Sequence, residues 1–403
     1  MGKTNAFLPI ISGISKNLTS MDVMLIFDTK GEFYEIFGDP SDIVISNSKK
    51  LSSLKKNIWN IFEELDADKL NETSNEISAM LFASHVEKTS NSFFPLAARA
   101  IFGAVLRAIY RIPADKLVSA PSNKLLKDFF NGKNIYAASA FIDEDPGVHK
   151  NIVNLLDCDP KERGVLGYIS RTTNAAPDPQ TLGVLAELRI VVDEVFIGNF
   201  EKEGSFSVRK AIKERKGKRI FVEYDIEEGE TLSGIYSLLI DLAIKESLSP
   251  NNAISGANAY FVIDEFKLLP HLKHVDDAVN FGRSQGVKFV IGVQNVSQMM
   301  ENYGEYGAMN MLSGFSTVFA FRASDHATRN YLVELFGTNR KRTTVLSAVR
   351  SRGIIESFER ANVVEDWDIL ELGVGDCIVR LPAGLGNGET PPFFFHTAEF
   401  KIN

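Results

Sequence analysis

Short apolar runs rich in β-branched and aromatic residues punctuate the chain: VMLIFD (23–28), RIFVEYD (219–225), AYFVIDEF (259–266), VKFVIGVQ (287–294), TVFAFRA (317–323) and DCIVRL (376–381). Nearly continuous apolarity over the length of a strand marks strands covered on both faces. Between several of them lie helical patterns such as TLSGIYSLLIDLAIKESL (231–248) and HVDDAVNFGRSQG (274–286). Strands alternating with helices predict an α/β fold built on a mostly parallel sheet. From about 67 to 200 no comparable run occurs. Helical patterns broken by Pro, Asn and Gly dominate there, and they predict an all-α domain inserted into the sheet domain. The expected layout is therefore a sheet domain in two parts, 1–66 and 201–403, around a helical insertion at 67–200. No internal repeat or low-complexity linker interrupts it.

One stretch, SFFPLAARAIFGAVLRAIYR (92–111), is apolar enough to pass for a membrane span. Its Arg99, Gly103, Arg107 and Arg111 fall four apart on one helical stripe, which a bilayer would not tolerate. It reads as an amphipathic helix packed on protein. No signal peptide is evident, because the apolar run after Gly2-Lys3-Thr4 is short and contains Pro9. The balance of 44% hydrophobic and 24% charged residues is that of a folded domain. Two cysteines, Cys158 and Cys377, make no disulfide framework and point to a reducing compartment. His271 and His274 are three apart, but the sequence supplies no third ligand at metal-site spacing. A net charge of −8 argues against a generally basic nucleic-acid coat while leaving a local basic channel open. Two runs bear on such a channel: VRKAIKERKGKRI (208–220) and NRKRTTVLSAVRSRG (339–353). Each can contact phosphates or be an ordinary solvated turn.

The strand ends carry the chemistry. Asp28, Asp225, Asp264–Glu265 and Gln294 each close an apolar run, and ligands of open α/β sheets bind outside the carboxyl ends of strands. One such carboxylate alone reads as a turn or helix cap; several together suggest a polar crevice. FVIDEF (261–266) has the form of a Walker B strand, whose aspartate helps hold Mg²⁺ and whose glutamate orients or deprotonates a water. At the other end of the chain, Gly2-Lys3-Thr4 is the second half of the phosphate-binding loop G-x-x-x-x-G-K-[ST]. It is followed by the helical pattern NAFLPIISGISK and then by VMLIFD. Loop, helix and strand in that order place a helix N-terminus where it can meet phosphate. Lys3 would then reach the β- and γ-phosphates of ATP, and Thr4 would ligate Mg²⁺.

DVMLIFDTKGEFYEIFG, GKTNAFLPIISG with its Pro9, GSFSVRKAI and KRIFVEYDIEEGETLSGIYSLLIDLAIKESL together resemble the type IV coupling proteins, the RecA-like motor ATPases of conjugation and type IV secretion. The most specific block is FVIDEFKLLPHLKHVDDAVNFGRSQGVKFVIGVQNVSQMMENYGEYGAMNML. It runs from the Walker B strand to a glutamine-ended strand and a Q-x-x-x-x-Y-G stretch. The resemblance extends over nearly the whole chain. It implies that Gly2, Lys3 and Thr4 bind nucleotide, that Asp264 joins Thr4 at Mg²⁺, and that Glu265 is the catalytic carboxylate. It further implies that Gln294 senses the γ-phosphate and that Arg283 reaches a neighbouring subunit's nucleotide. Read without the family, Arg283 is a solvated helix-face arginine and Gln294 a turn-capping amide.

Two departures stand out. Thr29 replaces the proline usual in the D-P-K-G-E signature, although Lys30, Gly31 and Glu32 remain. The family also carries membrane-spanning helices, a first sheet strand and the opening of the P-loop before the point where this chain starts. Either the chain as written is cut short or half the phosphate cradle is lost, and as written it is expected to bind nucleotide poorly. The resemblance implies an ATPase where the whole P-loop is present. It implies a homo-hexamer on the cytoplasmic face of a membrane, with membrane contact only through a missing N-terminal segment. It would move single-stranded DNA, without sequence preference, or a protein–DNA complex into a type IV secretion channel, with relaxosome and channel proteins as partners. A related hexameric DNA pump in DNA processing and a nucleotide-dead scaffold for secretion partners remain open alternatives.

Overall fold

The computed structural model describes residues 3–47, 57–137, 147–174, 176–250, 256–346, 354–382 and 393–396. They belong to two compact units. One comprises Leu18–Ile263 and Leu268–Val290; the other comprises Met1–Asn17, Asp264–Lys267 and Ile291–Asn403.

The first unit is built on a five-stranded sheet: β1 (Val23–Asp28), β2 (Ile43–Ile45), β3 (Lys218–Glu223), β4 (Ala259–Ile263) and β5 (Val287–Ile291), in the order β2-β3-β1-β4-β5. The pairs β1–β3, β1–β4 and β2–β3 are parallel. All six residues of the central β1 are buried, which is why its apolarity is unbroken. Helix Ser233–Leu248 packs nearly all of its length into the core. Gly286 turns the chain into β5 with φ 77°. A Cβ at that position would lie 2.0 Å from the Ala257 carbonyl oxygen, so only glycine fits.

Between β2 and β3 the chain is helical: Leu70–Leu81, Ala83–Lys88, Phe93–Arg111, Asn123–Phe130, Val148–Asp157 and Pro179–Val195, with no strand among the described residues of 67–200. Local signals set the boundaries. Ser122 accepts the Leu125 N–H, and Asp178 accepts the Thr181 N–H with Pro179 in the first turn. Phe93–Arg111 is long and apolar enough to cross a membrane by composition, yet 67% of its most apolar stretch is buried inside the protein. Two of its three stripe arginines, Arg107 and Arg111, bond to protein. The buried Arg107 guanidinium makes a two-pronged contact with Glu162 (2.8 and 2.6 Å) and also donates to Ser74 and Asn75 of helix Leu70–Leu81. Arg111 adds bonds to Asp159 and Glu162.

Where the chain leaves the sheet and where it returns, two backbone segments run side by side. Asn60 N donates to Phe206 O, and Phe206 N to Ile58 O. Glu64, wholly buried, clamps this neck. It accepts from Trp59 Nε1 (2.9 Å), Ser207 Oγ (2.9 Å), Val208 N (2.6 Å) and Arg209 N (3.2 Å). Asn123 ties the insertion to the same neck through Ile61 N, Trp59 O and Phe200 O.

The second unit holds helix Lys3–Asn17, the segment 264–267, helices Val296–Ser313, His326–Phe336 and Asp366–Glu371, and two further β structures. A three-stranded antiparallel sheet contains β6 (Val318–Ala320), β9 (Asp376–Arg380) and β10 (Phe393–His396) in the order β10-β9-β6. An antiparallel ribbon pairs β7 (Thr338–Leu346) with β8 (Ile354–Asn362). Ala320, Ala323, Leu332, Val364, Ile369, Leu372 and Ile378 form this unit's core.

Two expectations are corrected. TVFAFRA and DCIVRL are strands, but they pair antiparallel outside the parallel sheet, because apolarity reports burial and not the direction of a partner. The described part of the second basic run, 339–346, is not a turn: it lies within the strand Thr338–Leu346, whose polar residues concealed it, and 347–353 lie outside the described residues. The first basic run is largely consumed by the fold. Arg209 pairs with Glu246, Lys210 with Glu63, Lys218 with Glu214 and Arg219 with Asp42, while Arg215 is buried.

Two outcomes follow for stability. Glu64→Ala orphans four donors, three of them buried, and is expected to cost on the order of 3 kcal/mol or more in urea denaturation, with Glu64→Gln costing less; a neutral alanine variant would show that the neck holds without its carboxylate. The second concerns Asp28, which is 2% exposed and accepts the N–H groups of Lys30, Phe33 and Tyr34. Burial lifts its pKa from 3.8 to about 6, against the N–H donors of Tyr34 and Lys30, with the Glu223 charge adding to the rise. The folded state thus holds this proton more tightly than the unfolded chain, so ionisation costs stability above about pH 6 and protonation restores it as pH falls toward 4. Relative to Asp28→Asn, the native protein should gain on the order of 2 kcal/mol between about pH 7 and pH 4.5. Parallel urea midpoints for the two proteins across that range would contradict this.

Candidate active site

Lys3 opens the helix Lys3–Asn17, whose buried Phe7, Leu8 and Ile11 seat it on the protein. Pro9 sits inside this helix without ending it. Asp264 and Glu265 follow the last residue of β4, and Gln294 follows β5 by three residues. These three segments converge on one carboxylate. Lys3 Nζ donates to Glu265 Oε2 at 2.8 Å and to the Asp264 backbone oxygen at 2.8 Å, and it lies 3.9 Å from Asp264 Oδ1. Gln294 Nε2 donates to the same Glu265 Oε2 at 2.8 Å. The ion pair is sheltered, with the Glu265 side chain 12% exposed and that of Lys3 28%. The other oxygen of Glu265, Oε1, is buried and accepts no hydrogen bond from the described residues. Thr4 follows Lys3 in the first helical turn, half-buried.

Apart from the Q-x-x-x-x-Y-G stretch, the supporting residues were not singled out by sequence reasoning. Gly292 lets the chain pass over the Walker-type segment, and its carbonyl accepts the Phe266 N–H at 3.0 Å. A Cβ on Gly292 would fall 2.1 Å from Asp264 O and 3.0 Å from Lys3 Cδ. A glycine late in a strand pattern is the available signal for such a close approach. Tyr303 stacks on Phe266 with ring centroids 5.3 Å apart, and Asn302 donates to Lys267 O. Gly304, with φ 72° and ψ 163°, kinks the helix directly after that tyrosine. The Q-x-x-x-x-Y-G stretch is therefore a brace beneath residues 264–267. Asn295 starts this helix by accepting the Gln298 N–H, which fixes the backbone next to Gln294.

The other predicted residues are placed differently. Gly2 lies outside the described residues. Arg283 belongs to the first unit, exposed on the short 3-10 turn Gly282–Gln285 that leads through Gly286 into β5. Asp28 is occupied as a buried helix cap, and Asp225 accepts the Glu227 N–H. The absence of a third ligand near His274 holds for the sequence but not in space. Asp241 Oδ2 lies 2.8 Å from His274 Nδ1, and Glu76 Oε1 lies 3.8 Å from its Nε2. Lys245 already neutralises Glu76 at 2.7 Å. The Asp241 hydrogen bond raises the His274 pKa against its burial, as befits a structural ion pair.

Residues 1–152 and 176–387 match the family described as the type IV secretion-system coupling protein DNA-binding domain. Over 172 residues, 40% of this chain, it is 25% identical to the conjugal transfer protein TraG of Agrobacterium fabrum (strain C58), spanning 26% of that protein's length. Among solved structures, the bacterial conjugative coupling protein TrwBdeltaN70 in its unbound monoclinic form matches with a TM-score of 0.67 at 19% identity, covering 99% of this chain and 80% of that one. The plasmid coupling protein TrwB in complex with ADP and Mg²⁺ gives 0.65 at 18% identity, and in complex with the ATP analogue ADPNP 0.68 at 17%; each covers 99% of this chain and 82% of that one. Identities this low speak for the fold alone, an α/β RecA-like fold with an all-α domain. The family match spans most of the chain, and the protein belongs to the type IV secretion-system coupling protein family.

Proposed function

We propose that this protein is the soluble motor part of a conjugative coupling protein, hydrolysing ATP with Mg²⁺ to drive DNA toward a type IV secretion channel. The observation that carries the reading is the convergence of Lys3 and Gln294 on a single oxygen of Glu265. The donor set fits a magnesium nucleotide: an ammonium at a helix start, an adjacent hydroxyl, two carboxylates and an amide. The buried, unpartnered Glu265 Oε1 and the Cβ-free passage at Gly292 support the fit. Neighbours of the same fold are described in complex with ADP and Mg²⁺ and with an ATP analogue.

In this reading Lys3 holds phosphate, Thr4 and Asp264 hold the metal, Glu265 orients or deprotonates water, and Gln294 positions Glu265. The bound nucleotide supplies a phosphoryl group whose transfer to water releases the driving energy. While Lys3 holds Glu265 Oε2, that oxygen is occupied and not available to orient a water. Drawing the ammonium away leaves Glu265 to the Gln294 amide and free to accept a proton. The site thus carries its own catch, which keeps the base idle until the lysine has another anion to bind. Arg283 serves a neighbouring subunit in a homo-hexamer, where a guanidinium stabilises charge developing on the transferred group. Residues 1–66 and 201–403 form the nucleotide-binding domain and 67–200 the inserted domain. The assembly works at the cytoplasmic face of a membrane with relaxosome and channel proteins as partners, on single-stranded DNA read without sequence preference.

Two tests apply to the full-length protein. Glu265→Gln should retain nucleotide binding by calorimetry and lose turnover by two or more orders of magnitude, on the scale of lost general-base catalysis. Near-native turnover would make Glu265 a structural strand-end residue, whereas no turnover by the native protein would favour the scaffold alternative. Arg283→Ala should also lower turnover by roughly two or more orders of magnitude with little change in affinity. Mixing it with Glu265→Gln protein should restore part of the activity, because some interfaces then hold an intact glutamate beside a neighbour's arginine. Mixed rings that form without regaining activity would rule out a role in trans.

A further inference from the structure

The register of the β7–β8 ribbon sets three arginines on one face, with Glu356 further along it opposite Thr344. Arg340 stands directly opposite Arg360, Arg342 opposite Phe358, and Thr338 opposite Asn362, all on one face. On the other face Lys341 is opposite Glu359, a balanced pair. Like charges directly across a strand pair repel and destabilise it. Neither Arg340 nor Arg360 forms an ion pair among the described residues, and the Arg360 guanidinium donates only to Thr338 Oγ1. Arg340, Arg342 and Arg360 are exposed, and beside them Phe358 leaves 66% of its surface in water.

The base of the ribbon is fixed. Val363 N donates to Gly337 O, and Val364, immediately after β8, is fully buried in the unit's core. A self-repelling arginine pair next to an exposed ring, on a firmly rooted two-stranded arm, has no use in the fold. Guanidinium groups suit phosphate, which can accept from two of them at once, and an exposed aromatic face suits an unpaired base.

We propose that this face of the ribbon binds single-stranded nucleic acid, with Arg340 and Arg360 on a backbone phosphate and Phe358 stacked on a base. The proposal rests on the DNA-handling reading above for the nature of the polyanion. It adds the surface, drawing Arg340 from the second basic run and Phe358 and Arg360 from β8, since most charges of the first run are paired with carboxylates within the fold.

The test uses full-length protein without nucleotide, a labelled oligothymidylate of roughly 20 nucleotides and a duplex of equal length, followed by fluorescence anisotropy over a salt series. Arg340→Ala with Arg360→Ala should weaken single-strand binding tenfold or more and lower the salt slope by roughly 0.7 for each phosphate no longer neutralised. Phe358→Ala should weaken it by roughly tenfold without altering that slope or duplex binding. Lys341→Ala, on the balanced face, should stay within about twofold of the native protein. The double arginine variant should melt at or above the native temperature, because it removes a repulsion.

Native-like oligonucleotide binding by the double variant, or no binding by the native protein, overturns the proposal. So does a lower melting temperature, which would make the arginines structural. Equal duplex binding together with a silent Phe358→Ala overturns the single-strand assignment, and polyglutamate bound through the same arginines would point to an acidic protein instead. Absent ATP turnover with ribbon-dependent binding intact sinks the motor reading alone.

Discussion

The first unit depends on one buried carboxylate at a neck. A helical segment of more than a hundred residues leaves the sheet after β2 and returns before β3, and β2 and β3 are hydrogen-bonded neighbours. Such an excursion is tolerable only if its two ends are held together, since otherwise the strands would bear the closure entropy of a long loop. Glu64 does this by accepting from residues on both sides, Trp59 before the insertion and Ser207, Val208 and Arg209 after it. With the neck closed, β3 is delivered beside β1 in register, from Val23 opposite Lys218 to Asp28 opposite Glu223. Inside the insertion the same principle recurs on a smaller scale, where Glu162 collects Arg107 and Arg111 and so makes an apolar helix a protein-packed one.

The candidate active site obeys a different constraint. Its groups come from three places far apart in the chain, and each alone has a mundane role as a helix-start lysine, a strand-end carboxylate or a turn amide. What distinguishes them is that one oxygen of Glu265 receives two donors while the other is buried without any among the described residues. A buried carboxylate that is only half-satisfied is costly in a purely structural role. It is reasonable in a site where a water or a ligand completes the set. The stacked Phe266–Tyr303 pair and the kink at Gly304 hold this segment from beneath, so the carboxylate is presented by a braced backbone.

Much of this was legible in the sequence because it depends on local rules. Continuous apolar runs marked β1, β3, β4 and β5 of the parallel sheet and β6 and β9 of the antiparallel one. Helical periodicity marked the insertion, Asp264, Glu265 and Gln294 stood out as polar residues closing apolar strands, and Lys3 stood out through the Gly2-Lys3-Thr4 half of a phosphate-binding loop. The paired strand β2 is only three residues long, and β7 and β8 are rich in polar and charged residues, so none of them produces a long apolar run. The strands TVFAFRA and DCIVRL were visible but their partners were not, because side-chain patterning reports which faces are covered and says nothing of hydrogen-bond direction.

What the sequence determined alone was therefore the class of the fold and the identity of the polar groups at strand ends. Tertiary structure decided which of those groups meet. It brought Lys3, Glu265 and Gln294 onto one oxygen, gave Asp28 a separate task as a buried cap, and set Glu76 and Asp241 beside a histidine that looked isolated. It also divided the two basic runs, pairing most charges of one with carboxylates and setting Arg340 and Arg342 of the other on an exposed ribbon face. The reason is physical. Spacing along a chain encodes contacts only within a helix turn or a strand repeat, whereas contacts between distant segments are fixed by the register of strands and the packing of buried side chains.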